Sequence, residues 1–285
     1  MIARQNQRSL MVALIGHTNV GKSTLVNALT LSTVSIATRK PHTTRQALHG
    51  IVTHNETQIV FIDTPGFTDN KKAARHILTA TQRAMRQCEA MVLLIDATRP
   101  FFPNALKPLQ VASHISADKK IVVLNKIDRV AKTSLLPLAA AIGERIDVRL
   151  FMISARKQEG TDALLAHLSG LALNQPWPYP PQQTSNQSLE TLACELTRQH
   201  VLTQLHGEVP YKTLVEPLSW QEKEGQVTIH QRIVVGKPSQ KAIVVGEGGS
   251  RLKAIGSAAR RSLSAHLGKP THLFLRVAIA TDNKP

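Results

Sequence analysis

The chain has 285 residues, 42% of them hydrophobic, which is enough for at least one sizeable core and for one to three domains. No apolar run approaches the length of a bilayer-spanning helix; Cys88 and Cys194 lie too far apart for a CxxC site, and the twelve histidines lack metal-ligand spacing. Thirty-five Lys and Arg against nineteen Asp and Glu give +16, a balance that points to a polyanionic partner, either nucleic acid or an anionic membrane surface.

Residues 1–8 lead into an apolar strand with no room for a signal peptide, so the chain reads as cytoplasmic. The strand, from Val12 to Ile15, breaks into Gly16-His17-Thr18-Asn19-Val20-Gly21-Lys22-Ser23-Thr24, and helix-forming residues follow from Leu25. Strand, Gly-x4-Gly-Lys-Ser and helix, in that order, make a phosphate cradle. The glycines let backbone N–H groups point at phosphate oxygens, the helix N-terminus adds partial positive charge, and Lys22 adds a full one.

Residues 31–50, rich in Thr and Arg and broken by Pro41, read as a loop. Residues 51–54 and 58–62 read as paired strands around the turn Asn55-Glu56-Thr57, and the second ends in Asp63-Thr64-Pro65-Gly66. A carboxylate at the carboxyl end of a strand is placed to reach a magnesium ion beside a bound phosphate, and the Gly66 N–H to sense the γ-phosphate. Residues 71–88 have helical spacing with a basic face. Residues 90–95 and 121–124 are buried strands, and the latter delivers Asn125-Lys126-Ile127-Asp128. A carboxylate at Asp128 accepts from both N1–H and the N2 amine of guanine, donors that adenine does not offer in that geometry, so the nucleotide is GTP rather than ATP. Asn125 is expected to brace neighbouring loops, and the Lys126 stem to lie over base or ribose. The strand 150–153 leads to Ser154-Ala155, where a backbone N–H is placed to reach guanine O6, and residues 161–173 read as a closing helix.

Residues 174–188, with Pro176, Pro178, Pro180 and Pro181 among Gln, Asn and Ser, read as a linker between a nucleotide-binding domain (1–173) and a second domain (189–285). In the second, residues 189–205 are helical and 227–235 form a strand. An apolar approach at residues 242–245 precedes Gly246-Glu247-Gly248-Gly249, then a helix with Leu252, Ile255, Ala259, Leu263 and Leu267 on one face, and an alternating strand at residues 273–279. A Gly-x-x-Gly loop entering a basic helix fits a KH-type RNA-binding fold, with Lys241, Gly246, Glu247, Gly248, Gly249, Arg251 and Lys253 as candidate RNA contacts. The fold class expected is an α/β P-loop domain, a mostly parallel sheet with helices on both faces, followed by an α+β KH domain of type II.

The ordered set Gly16-x4-Gly21-Lys22-Ser23, Thr43-Thr44-Arg45, Asp63-Thr64-Pro65-Gly66, Asn125-Lys126-Ile127-Asp128 and Ser154-Ala155, with Gly246-x-x-Gly249, resembles the bacterial Era family of GTPases over nearly the whole chain. The resemblance implies a cytoplasmic GTPase that uses GTP/GDP and Mg2+ and binds the 3′ region of 16S rRNA, acting in 30S subunit assembly with no obligate protein partner. By position it implies Ser23 and either Thr43 or Thr44, preferably Thr44, on the metal. Lys22 would then bridge the β- and γ-phosphates, and Asp63 would reach the metal through water. Lys22, Thr44, Asp63 and Gly66 form the catalytic set, and the nucleotide is held by Asn19, Gly21, Lys22, Ser23, Thr24, Asp63, Asn125, Lys126, Asp128, Ser154 and Ala155. Phe67 stands where Ras-type enzymes carry a water-orienting glutamine, which implies slow intrinsic hydrolysis. Two other readings compete: a GTP-sensing RNA chaperone with negligible turnover, and a regulatory G protein whose charge serves peripheral contact with the inner membrane.

Overall fold

A computed structural model describes residues 7–31, 48–64, 86–205 and 213–280, and elements are numbered over these. They fall into two compact units, Met1–Asn186 and Gln187–Pro285. Thr43, Thr44, Gly66, Phe67 and most of the basic stretch 71–88 lie outside the described residues.

The first unit is organised by one sheet in the order β2-β3-β1-β4-β5-β6, made from β1 (Arg8–Gly16), β2 (Leu48–His54), β3 (Thr57–Asp63), β4 (Ala90–Asp96), β5 (Lys120–Asn125) and β6 (Arg149–Ile153). Only β2 runs antiparallel to its neighbour within this path. Strands β3 and β4 are buried at all seven positions each, as in a sheet covered on both faces. Alternation along β1 sends Leu10, Val12 and Leu14 to one core, where α1 (Lys22–Thr30) contributes Leu25 and α4 (Thr161–Gly170) contributes Leu164 and Leu168. Ala13 and Ile15 go to the other, completed by Leu109 of α2 (Lys107–Val111) and Ile142 of α3 (Lys132–Gly143). Parallel strands put their carboxyl ends on one edge, so Gly16, Asp63, Asp96, Asn125 and Ile153 finish side by side. Helix α3 was not legible because Pro137 interrupts it; the proline removes one N–H donor, and the helix is held instead by burial of Leu135 and Ile142.

The segment expected as a linker from residue 174 is instead bound to the first unit as far as Asn186. A short strand β7 (Leu173–Asn174) pairs antiparallel with β1. Gln58 then clamps the backbone of Tyr179, donating from Nε2 to its carbonyl and accepting its N–H, both at 3.0 Å. The Trp177 indole N–H donates to the Glu56 carbonyl at 3.1 Å, and the Ile51 N–H to the Thr184 carbonyl at 2.9 Å. The segment bends, with a turn closed by the Gln183 N–H on the Pro180 carbonyl, and its polar side chains and backbone groups find partners on β1, β2, β3 and the turn between the last two, so it needs no apolar period to be ordered.

The second unit has the order α5 (Leu189–Gln204), β8 (Leu214–Lys223), β9 (Gln226–Val235), α6 (Pro238–Val245), α7 (Ser250–Leu267) and β10 (Thr271–Ile279). Its sheet runs β10-β9-β8, with β8 antiparallel and β10 parallel to β9. Glu224 (φ 52°) and Gly225 (φ 74°) make a two-residue hairpin turn with both φ values positive. Strand β8 escaped sequence reading because Pro217 sits at a register irregularity on the sheet edge, where a missing N–H is tolerated. The apolar approach at 242–245 is helical: Pro238 opens α6, which runs into the glycine loop. Helix α7 packs as its pattern required, with Ile255, Ala259 and Leu263 buried and Leu252 and Leu267 against the core.

Candidate nucleotide-binding site

The cradle forms between β1 and α1. Gly21 has φ 102°, and a Cβ there would stand 2.3 Å from Asn125 Nδ2, so glycine is required by both conformation and space. A Cβ on Gly16 would meet the Leu94 carbonyl oxygen at 2.6 Å. The loop thus wraps against β4 and β5 with no room to spare. Inside it the Lys22 ammonium donates to the carbonyls of Gly16 and His17, each at 2.9 Å. Burial pulls its pKa from 10.5 down to about 8, with the Asp63 charge opposing the shift. A cation desolvated this way, with carbonyls as its only anchors in these bonds, is poised for an anion.

Ser23, in the first turn of α1, donates from Oγ to Asp63 Oδ2 at 2.8 Å. Asp63 is fully buried at the end of β3, and the next residue, Thr64, is tied to the Leu14 carbonyl at 2.7 Å. A hydroxyl and a carboxylate side by side, next to a phosphate cradle, form the hard oxygen donor set that Mg2+ prefers when it keeps waters and shares phosphate oxygens. The residues present therefore fit the metal. Thr24 follows, half-buried, in the same first turn.

Asn125 holds the base end together. Its Nδ2 donates to the Val20 carbonyl at 2.8 Å, and its Oδ1 accepts the N–H of Lys126 (2.8 Å) and of Ala155 (3.0 Å). One buried amide thus joins the cradle, the end of β5 and the loop after β6, the bracing expected of it. Asp128, half-buried, accepts the Ser154 hydroxyl on Oδ1 at 2.8 Å. The N–H groups of Ser154 and Ala155 are engaged by the Glu159 carbonyl and Asn125 Oδ1 respectively. Neither is therefore open toward a base as sequence reasoning had it: the Ser154 N–H closes the bridge to Glu159, and the Ala155 N–H is held by the Asn125 amide at the end of β5.

Sequence reasoning missed Asp96. It ends β4 directly beside Asn125 in register, and its Oδ2 accepts the Lys126 ammonium at 2.6 Å. Thr98 donates to Oδ1 through both N–H (3.0 Å) and Oγ1 (2.7 Å). These donors hold the carboxyl below its ordinary range despite burial. Lys126, itself at φ 67°, also donates to the Asn19 carbonyl at 2.6 Å, so its stem crosses from β5 to the cradle. The signal was available: Asp96 is a carboxylate at the carboxyl end of a buried strand, as Asp63 is.

The glycine loop of the second unit has Gly246 at φ 74°, Gly248 at φ 54° and Gly249 at φ 79°, and Cβ atoms at Gly248 and Gly249 would meet nothing within 4 Å. The backbone there is open to a ligand and lies at the N-terminus of α7. Lys241, Glu247, Gly248 and Lys253 are exposed and Gly249 is half-buried. Arg251 is engaged with the protein: its Nη1 donates to the Ile243 carbonyl at 2.6 Å, fastening α7 to the end of α6.

Cradle, base-end motif and second unit together define a P-loop GTPase carrying a KH domain. The family described as 50S ribosome-binding GTPase matches residues 11–126, and the KH domain family matches residues 208–283. Proteins named GTPase Era from Agrobacterium fabrum and Rhizobium meliloti are each 42% identical over 275 residues, covering 95% of this chain and 86% and 88% of theirs. The solved structure of Era in complex with MgGDPNP and nucleotides 1506–1542 of 16S ribosomal RNA superposes with a TM-score of 0.87 at 30% identity, covering 97% of this chain and 95% of that one. A variant of Aquifex aeolicus Era bound to GDP·AlF4− gives 0.88 with the same identity and coverage. The chain belongs to the Era family of GTPases.

Proposed function

We propose that the protein holds GTP and Mg2+ at the carboxyl edge of its first sheet, hydrolyses the nucleotide, and uses its presence to gate the grip of the KH domain on the 3′ region of 16S rRNA during 30S assembly in the cytoplasm. The observation that carries the reading is the Asn125 amide, which ties the phosphate cradle to the base-reading Asp128 loop and to Ser154-Ala155 in one set of hydrogen bonds. Among the described residues no helix is long and apolar enough to cross a membrane.

In this scheme phosphate oxygens replace the Gly16 and His17 carbonyls as partners of the Lys22 ammonium, which regains its proton affinity in doing so. Ser23 and Asp63, already side by side, are the residues that would hold the metal. The chemistry that Mg2+ would supply at this pair is neutralisation of phosphate charge. Asp128 accepts from guanine N1–H and N2, while Ser154 fixes the carboxylate's orientation. Lys126, anchored at Asp96 and Asn19, lays its stem along the purine face. The parts given to Thr44 and Gly66, and the slow hydrolysis expected from Phe67, rest on sequence.

The test is an Asp128→Asn variant titrated with GTP and with xanthosine triphosphate, whose base presents a carbonyl where guanine has its amine. GTP affinity should fall by at least tenfold, since hydrogen bonds to a charged group contribute about 1.5–3 kcal/mol, and the xanthine nucleotide should gain. Unchanged GTP affinity would remove the base assignment. In parallel, affinity for the 1506–1542 RNA segment should be higher with a non-hydrolysable GTP analogue than with GDP; equal affinities would end the gating reading.

A further inference from the structure

The outer face of the second unit's sheet carries side chains that neither its core nor its glycine loop uses. Ile229 and Ile233 of β9, and Leu273, Leu275 and Val277 of β10, turn inward toward α5 and α7. By the two-residue period, His230 and Arg232 of β9 and Phe274 and Arg276 of β10 turn the other way. Phe274 is 54% exposed and stands beside His230 in register. Their rings stack with centroids 4.7 Å apart and planes 16° from parallel. The next register pair on that face is Arg276 with Arg232. Arg232 is held by Glu216, its Nε donating to Oε2 at 2.9 Å, whereas the exposed Arg276 makes no ion pair or hydrogen bond among the described residues.

We propose that this face is a second RNA contact, in which an unpaired base continues the Phe274–His230 stack and Arg276 takes the neighbouring phosphate. The inference rests on the RNA-binding reading above and adds a site to it. A nucleotide suits the face because it needs both things offered there, a flat aromatic surface for a base and a free guanidinium for the backbone. The nearby carboxylate, Glu216, is already neutralised by Arg232, so it does not repel phosphate. Phe274 is flanked by His230, His272 and Arg276, and the exposed Leu214 on the same face stands on β8, the far edge strand, so the two make no continuous apolar patch for a membrane. Helix α7, which starts at the glycine loop, packs on the inner face through Ile255, Ala259 and Leu263, so the two contacts take different nucleotides of one strand.

The test uses the full chain and the 1506–1542 segment of 16S rRNA, labelled for anisotropy. Stacking on one aromatic contributes about 1–3 kcal/mol per base, so Phe274→Leu should weaken binding roughly 5- to 150-fold, and Phe274→Tyr should restore it. Arg276→Gln should lower the salt dependence by about one released counterion. Gly248→Asp, which puts a carboxylate into the glycine loop, serves as the separate control for the KH contact. Loss with Gly248→Asp but wild-type affinity and salt slope with Phe274→Leu and Arg276→Gln would overturn the second contact and leave the RNA reading standing. Wild-type affinity in all three would overturn both. A Phe274→Leu effect confined to self-association or to sedimentation with anionic vesicles would also overturn it, by assigning the face to another occupant.

Discussion

Keeping Lys22 charged in its buried place costs the nucleotide-free protein stability, and the penalty should be readable as a pH dependence. In the open chain the ammonium titrates at 10.5, and in the cradle at about 8. Between those values the unfolded chain binds a proton that the folded one does not, so the stability of the first unit rises with pH across that window, and the penalty is complete below it. At roughly 1.4 kcal/mol per pKa unit the full cost is about 3 kcal/mol, falling to about 1 kcal/mol by pH 10. Replacement by methionine keeps the length and removes the charge. The assay is urea unfolding of nucleotide-free protein at pH 7 and pH 10, followed by Trp177, which packs on the first unit, in a Trp220→Phe background that silences the second. Between pH 7 and pH 10 the stability of wild type should gain about 2 kcal/mol on that of Lys22→Met. Other titrating groups cancel in the difference, and the lost bonds to Gly16 and His17 give only a constant offset. A difference that does not change with pH would refute the burial argument.

Three further outcomes follow from the geometry. Gly21→Ala should abolish nucleotide binding, because the residue would be strained at φ 102° and its Cβ would push Asn125 off the Val20 carbonyl; retained GDP affinity by calorimetry would contradict the tie. Asp96→Asn keeps the shape but drops the charge that anchors Lys126, and should weaken GTP about tenfold, the lower range for a charge-assisted hydrogen bond, while leaving RNA affinity of the nucleotide-free protein unchanged. Cys88 and Cys194, both buried and with thiols pushed up to about 12 mainly by desolvation, should resist a thiol reagent at pH 8 until the protein is unfolded; fast labelling of the native chain would contradict their placement.

The nucleotide motifs were legible because each is a few contiguous residues at the end of an apolar run. The run predicts a strand, and a parallel sheet brings strand ends together. Asp128 and Asn125 could be assigned chemistry in that way before any distance was measured. The same reasoning could not see that the Ser154 and Ala155 N–H groups are already engaged, since that depends on the Glu159 carbonyl folding back and on the Asn125 amide reaching across from β5. It also overlooked β8, where Pro217 masks the alternation, and took residues 174–188 for a linker when those as far as Asn186 dock on β1, β2 and β3 through polar side chains and backbone groups.

What the sequence by itself determined was which residue types stand where the proposed chemistry needs them: Gly-x4-Gly-Lys-Ser after a strand, a carboxylate at Asp128, a glycine loop before a basic helix. These depend on covalent spacing, which the chain states outright. What only the tertiary structure decided was pairing and burial: Asp96 against Lys126 across thirty residues, Tyr179 against Gln58 across more than a hundred, and the depth at which Lys22 loses its water. Those depend on strand order and register, which arise when the whole sheet closes over its two cores, and no local stretch of the chain contains them.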